Sequence, residues 1–180
     1  MEKYKRADIV GIERENERNE NYKSTRNPQI DKSKTRLNYH TVPHEKKYLP
    51  FIDDRIKQLS PKRKIKDDAV LVTSFILGSN KEFFDRITAE QQKQFFADCT
   101  DFFSERYGKE NVISAVVHLD ESTPHLHFNL RSSCYGEAGV FSTDTSSLQG
   151  RTAPNAKRFG IVSYTFLKKG VHGGDESRRI

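Results

Sequence analysis

VISAVVHLDESTPHLHFNL, Val112–Leu130, places three of the chain's six histidines, one aspartate and one glutamate between two apolar runs. Val112–Leu119 is apolar and β-branched, so it reads as a buried strand. Asp120–Pro124 is a turn cluster, and Pro124 disfavours helix at Thr123. His125–Leu130 then reads as the return strand of a hairpin. Strand side chains alternate between faces. Leu126, Phe128 and Leu130 therefore point one way, and His125, His127 and Asn129 the other. On the first strand His118 shares its face with Val116 and Ser114. Folding the hairpin gathers His118, His125 and His127 on one face and feeds a core from the other.

Three imidazoles converging near a carboxylate-bearing turn predict a metal site with an open position. Three protein nitrogens leave room for water or a substrate oxygen. The alternative is three hydrogen-bonded, unliganded histidines. Imidazole ligands favour Zn, Ni, Mn or Fe over Mg or Ca. A closed structural zinc site lacks its usual thiols, because Cys99 falls in a helical stretch and Cys134 in a loop, with no CxxC pairing.

The chain has 180 residues, 34% hydrophobic and 31% charged, which suits one core plus a polar arm. No run is long enough to span a bilayer, and Met1–Asp8 is too charged for a signal peptide. Two unpaired cysteines then favour a reducing, cytoplasmic setting. The charge is unevenly placed. Residues 1–67 carry 18 Lys and Arg against 11 Asp and Glu, whereas residues 68–150 carry 6 against 12. Residues 151–180 are basic again, with 7 against 2. A basic first third suits a phosphate backbone; a solvated charged face or a disordered arm is the competing reading.

Along the chain, Tyr4–Ile12 reads as an edge strand and Glu13–Lys23 as a solvated helix. Ser24–Lys34 reads as a loop, and Thr35–Val42 as a short strand ended by Pro43. Tyr48, Ile52, Ile56 and Leu59 lie at helical spacing within Glu45–Leu59. Ala69–Leu77 reads as a central strand ending at Gly78. Ser79 with Glu82, and Thr88 with Gln91, are capping boxes. The second opens a long helix over Ala89–Tyr107, stopped by Gly108. Its stripe of Phe95, Phe96, Cys99, Phe102 and Phe103 is expected to cover the hairpin's apolar face. Arg131–Gly150 is rich in Ser, Thr and Gly without clear periodicity, Ile161–Leu167 reads as one strand, and Gly170–Ile180 reads as disordered.

The decapeptide His118–His127, of the form HxDExTPHxH, resembles the metal motif of the Mob/Pre plasmid mobilization and recombination relaxases of the HUH superfamily. The likeness runs over about residues 3–130 and includes Asn27-Pro28-Gln29-Ile30-Asp31, Leu37-Asn38-Tyr39, Lys66-Asp67-Asp68-Ala69-Val70 and Glu82-Phe83-Phe84. It implies an α/β (α+β) fold: an antiparallel sheet backed by helices, with the metal site on the sheet's open face, here incomplete at both ends. It also implies nicking of one DNA strand at a plasmid origin, with the 5′ end held covalently on the protein. His118, His125 and His127 would be the metal ligands, and Glu121 a general base or a group holding the ligands. The implied cofactor is a divalent metal, manganese ahead of zinc or magnesium.

The chain departs from that family pattern in three places. Glu15-Asn16-Glu17-Arg18 stands where family members carry His-Asn-x-Arg, so the candidate nucleophiles are Glu15 and Tyr22. The opening apolar strand is short or absent. The resemblance is expected to end after Leu130, leaving residues 131–180 as a divergent, frameshifted or disordered tail beside a relaxase-like unit of residues 1–130. Its basic part, residues 1–67, would face DNA. Arg14, Arg18, Lys23, Arg26, Lys32, Lys34 and Arg36 are the expected phosphate contacts, Asn38 lies among them, and Tyr39 is expected to stack a base. Partners are single-stranded DNA or a supercoiled plasmid origin, with no membrane. Two other readings stay open: a truncated remnant that grips DNA without nicking, and a metal-dependent phosphodiesterase with no covalent intermediate.

Overall fold

The computed structural model describes residues 1–18, 27–43, 45–61 and 64–132. Five strands form one sheet: β1 (Glu2–Lys5), β2 (Tyr39–His40), β3 (Val70–Gly78), β4 (Val112–His118) and β5 (His125–Arg131). Their spatial order is β1-β3-β5-β4-β2, and every neighbouring pair is antiparallel. The fold is α+β, as the sequence implies.

Period two governs the centre of this sheet. Val117 faces Leu126 and Ala115 faces Phe128, while His118 faces His125 and Val116 faces His127. The first set joins Phe75 and Leu77 of β3 in an apolar layer. That layer is covered by α4 (Ala89–Tyr107) and by Phe84 of α3 (Lys81–Phe84). Phe95, Phe96, Cys99 and Phe103 are buried there, and Phe102 packs at the margin. Thr88 and Gln91 cap α4 reciprocally. Gly108, at φ 84°, ends it in backbone that a side chain rarely tolerates. The cap of α3 differs from expectation: Asn80, not Ser79, accepts the Phe83 amide at 3.0 Å.

One irregularity shifts the alternation. Between Val112 and Ser114 the ladder slips, so Val112 faces Leu130 and Ser114 faces Asn129. This bulge turns Val112 into the α4 layer and Ile113 into a second apolar cluster.

That second cluster covers the face expected to be open. It packs α1 (Ile9–Glu17) and α2 (Tyr48–Leu59) on the sheet through Ile9, Ile12, Tyr48, Ile52 and Val72. The edge strand is Glu2–Lys5, shorter than expected, and the helix begins before the charged run. Ile9, Ile12 and Asn16 bury one face of α1, so it is amphipathic rather than solvated. Arg18, left-handed at φ 47°, ends it. Thr35–Leu37 is a 3-10 turn and only Tyr39–His40 is strand, because the Thr35 and Asn38 side chains are drawn toward Asp120.

Candidate metal centre

His118 ends β4 and His125 begins β5, so the turn between them sets two of the three rings. Gly78 of β3 lies opposite His125. A Cβ on Gly78 would meet the Pro124 carbonyl at 3.2 Å, so the turn approaches β3 too closely for an easy side chain.

The three rings lie together. The ligand atoms that His118, His125 and His127 offer are all within 4.8 Å of one another. His118 is fully buried, and its Nε2 lies 2.7 Å from the Asn16 carbonyl. A carbonyl only accepts, so Nε2 carries the proton and Nδ1 holds the lone pair. His125 is set the same way, with Nδ1 2.9 Å from the Thr123 carbonyl and Nε2 facing inward. Metal-binding histidines commonly give their far N–H to such an acceptor. His125 Nε2 and His127 Nε2 are 3.1 Å apart. Two nitrogens bound at about 2.1 Å to one cation lie roughly 3.0–3.4 Å apart, so the donor set fits a divalent metal. Burial, and then the Arg18 guanidinium, push His118 down to about pKa 3, which keeps the ring neutral at physiological pH.

Asp120 is fully buried beneath the turn. Its Oδ2 accepts from Arg18 Nε at 3.3 Å, Thr35 Oγ1 at 2.9 Å and Asn38 Nδ2 at 2.9 Å. Burial opposes its charge, but the Asn38 hydrogen bond, Arg18 and Thr35 outweigh it and hold the carboxyl below its usual range. The backbone joins in: Asp31 N donates to the Asp120 carbonyl at 2.7 Å, and Leu119 N to Asn38 Oδ1 at 2.8 Å. Glu121 sits at the triad's rim, with Oε1 3.8 Å from His125 Nε2 and 4.0 Å from His118 Nδ1. It accepts from Arg18 Nη2 at 2.5 Å and from Asn27 Nδ2 at 2.7 Å.

The expected DNA contacts divide. Arg14, Lys32, Lys34 and Arg36 are exposed. Arg18 instead lies inside, on Asp120, Glu121 and His118 Nδ1, because two carboxylates beside the turn outcompete solvent for it. Tyr39 faces Val117 and packs against the α4 layer, so its ring turns away from the histidines. Asn38 is engaged with Asp120 and Leu119. Glu15 lies on α1, and its charge acts on Tyr4 of β1. Tyr22, Lys23 and Arg26 lie outside the described residues, as does the tail. Sequence reasoning gave no role to Asp120, Thr35 or Asn27. Asp120 inside the histidine motif was the only signal for the first, and its partners are remote in sequence.

Residues 1–157 match the family model described as plasmid recombination enzyme, Mob_Pre. This chain belongs to the Mob/Pre family. A plasmid recombination enzyme of Bacillus sp is 36% identical over 161 residues, 86% of this chain and 35% of that protein. A type 2 plasmid recombination enzyme of Staphylococcus aureus (strain Mu50) is 34% identical over 190 residues, 97% of this chain and 42% of its own. The chain thus spans less than half the length of these Mob/Pre relatives. The Mob/Pre match continues beyond Leu130, where the sequence character changes and the likeness was expected to end. Among solved structures, the MobM relaxase domain (MOBV; Mob_Pre), Mn-bound and in complex with plasmid pMV158 oriT DNA, superposes with a TM-score of 0.73 at 26% identity. It covers 100% of this chain and 93% of that one.

Proposed function

We propose that this Mob/Pre chain is the DNA-nicking part of a plasmid mobilization and recombination relaxase. It binds DNA at a plasmid origin and cuts one strand at a specific site, keeping the 5′ phosphate covalently on the protein. The observation that carries this reading is the inward-facing imidazole set of His118, His125 and His127. Its far nitrogens on His118 and His125 are tied to backbone carbonyls. The Mn-bound MobM relaxase domain supports a divalent metal here, manganese before zinc or magnesium. Such a cation supplies charge neutralisation on a scissile phosphate.

This chain's own groups do the rest. The three histidines present neutral nitrogens. Glu121, at the rim, is the general base or fixes the ligands through its contacts with Arg18 and Asn27. Asp120 ties residues 31–38 to the metal turn, which aims the exposed Lys32, Lys34 and Arg36 at phosphates beside the site. Arg14, Lys23 and Arg26 are further phosphate contacts in this reading. We assign the nicking unit to residues 1–130. Among the described residues no helix is long and apolar enough to cross a membrane, and we place the reaction in the cytoplasm.

Supercoiled plasmid carrying the coding region and its flanking DNA, incubated with the protein and Mn²⁺, tests the reading. The expected product is a relaxed circle with protein on a 5′ end, visible as a protease-sensitive shift. Retarded but uncut plasmid would mean a DNA-gripping remnant. Cut plasmid with free ends would mean a hydrolytic phosphodiesterase.

A further inference from the structure

The guanidinium of Arg18 lies where three ligand-type groups converge. Arg18 ends α1 in the left-handed region, at φ 47° and ψ 44°. L side chains take up that conformation only where their surroundings impose it. Its side chain is 5% exposed. Nε is 3.3 Å from Asp120 Oδ2, and Nη2 is 2.5 Å from Glu121 Oε1 and 3.1 Å from His118 Nδ1. Nη1 donates to the Glu15 carbonyl at 2.6 Å. His118, Asp120 and Glu121 themselves have the spacing of a metal donor set, with one ligand atom from each within 4.8 Å of the others. A fixed organic cation thus sits among groups that could hold an inorganic one.

The contact with His118 decides what Arg18 does. Both ring nitrogens of His118 have assigned roles. Nε2 donates to the Asn16 carbonyl. A guanidinium only donates, so Nδ1 accepts from Arg18 Nη2. The lone pair that Arg18 uses is therefore the only one this ring offers in its plane. It is also the one that a cation shared with His125 and His127 needs. One lone pair serves one partner. Pairing with Asp120 and Glu121 alone would tie the end of α1 to the turn and do no more. A donor placed on a ligand's lone pair sets up an exchange.

We propose that Arg18 is a positioning residue of the metal centre and its built-in competitor: a cation joins the triad by displacing Arg18 Nη2 from His118 Nδ1. The proposal rests on the metal-centre reading. No proton moves in the exchange, because the guanidinium is charged before and after it. Nε stays on Asp120 and Nη1 on the Glu15 carbonyl, so the side chain pivots rather than leaves. Until a cation enters, Arg18 holds the His118 ring and both carboxylates in ligand geometry and neutralises them. The same contact weakens the binding of every cation by the hydrogen bond that must break. The metal is thereby kept exchangeable.

Nitrogen magnetic resonance and metal titration on the full chain, both without DNA, test this. Zn²⁺ serves as the diamagnetic probe in protein labelled at arginine and histidine nitrogens. Saturation should shift His118 Nδ1 and Arg18 Nη2 together and leave Arg18 Nε in place. An Arg18 Nη2 signal that stays put while His118 Nδ1 takes the ion overturns the proposal and leaves the metal centre standing. A His118 Nδ1 signal unmoved by Zn²⁺ overturns both. Calorimetric titration with Mn²⁺ then compares two variants. Arg18→Met removes the donors and the charge. Arg18→Lys keeps the charge but is too short to span Asp120, Glu121 and His118 at once. Each should bind Mn²⁺ about 10-fold more tightly than the wild type. Unchanged or weaker binding by both overturns the proposal. Tighter binding by Arg18→Met alone assigns the effect to charge and overturns it too. The wild-type spectra carry the decision if a variant does not fold.

Discussion

The β4–β5 hairpin and the segment from Ile9 to His40 meet at one site but are specified in different ways. The hairpin carries its instructions locally: alternation sets its faces, and Pro124 with Asp120 marks its turn. The earlier segment is arranged by groups about a hundred residues away. Arg18 is placed by Asp120 and Glu121, and Thr35 and Asn38 by Asp120. The contrast teaches that the hairpin provides ligands, whereas Asp120 provides the frame on which the basic segment hangs.

The largest effect expected is from His125→Ala. It should reduce metal affinity and cleavage at least about 100-fold, beyond what changes behind the ligands usually cost, while much DNA affinity survives. Isothermal titration with Mn²⁺ reads it, and unchanged metal binding would remove the hairpin from the comparison. Asp120→Ala strikes the junction between the two regions. It leaves Arg18 and Asn38 facing a buried gap and should lower stability by about 3 kcal/mol in urea unfolding. Protection of the residue 31–38 amides in hydrogen exchange should fall with it. Unaltered protection there would mean that the segment holds itself.

Acid sharpens the same contrast. The folded value of His118, about 3, lies below its ordinary value of 6.5. The folded state therefore favours the neutral ring. Its contribution is complete above about pH 6.5 and is lost as pH falls toward 3. The slope approaches about 1.4 kcal/mol per pH unit for one proton. Asp120, held below its usual range, loses its contribution at the lower end of the same descent. Urea unfolding in chelator between pH 7 and 4 should show this loss, and His118→Asn should flatten its upper part. The smallest effect lies away from the junction. Thr88→Ala removes the cap of α4 and should cost about 1 kcal/mol, with metal affinity unchanged. A loss of metal affinity there would show that the α4 layer and the histidine face are coupled.

Legibility follows the same division. The stripe of α4, its Thr88 cap, the interior strand ending at Gly78 and the facing of the hairpin side chains from Ser114 to Leu130 were readable, because period and capping are properties of neighbouring residues; the bulge at Val112–Ser114, which reverses Val112 and Ile113, was not. The Ser79 box failed because the helix starts one residue later, with Asn80 as its cap accepting the Phe83 amide. The charged run after Ile12 looked solvated because the buried spacing of Ile9, Ile12 and Asn16 begins before it. Tyr39 packs against the α4 layer through its parity in β2, which its residue type alone does not record.

From its own order of residues, this protein determined the antiparallel hairpin, the clustering of three imidazoles and membership of the Mob/Pre pattern. All of these depend on alternation and on a ten-residue motif. Tertiary structure alone decided that α1 and α2 cover the histidine face and that Arg18 faces inward onto His118. Those outcomes depend on burial and on partners distant in the chain. A buried carboxylate recruits its donors from wherever the fold brings them, and no local period records which they will be.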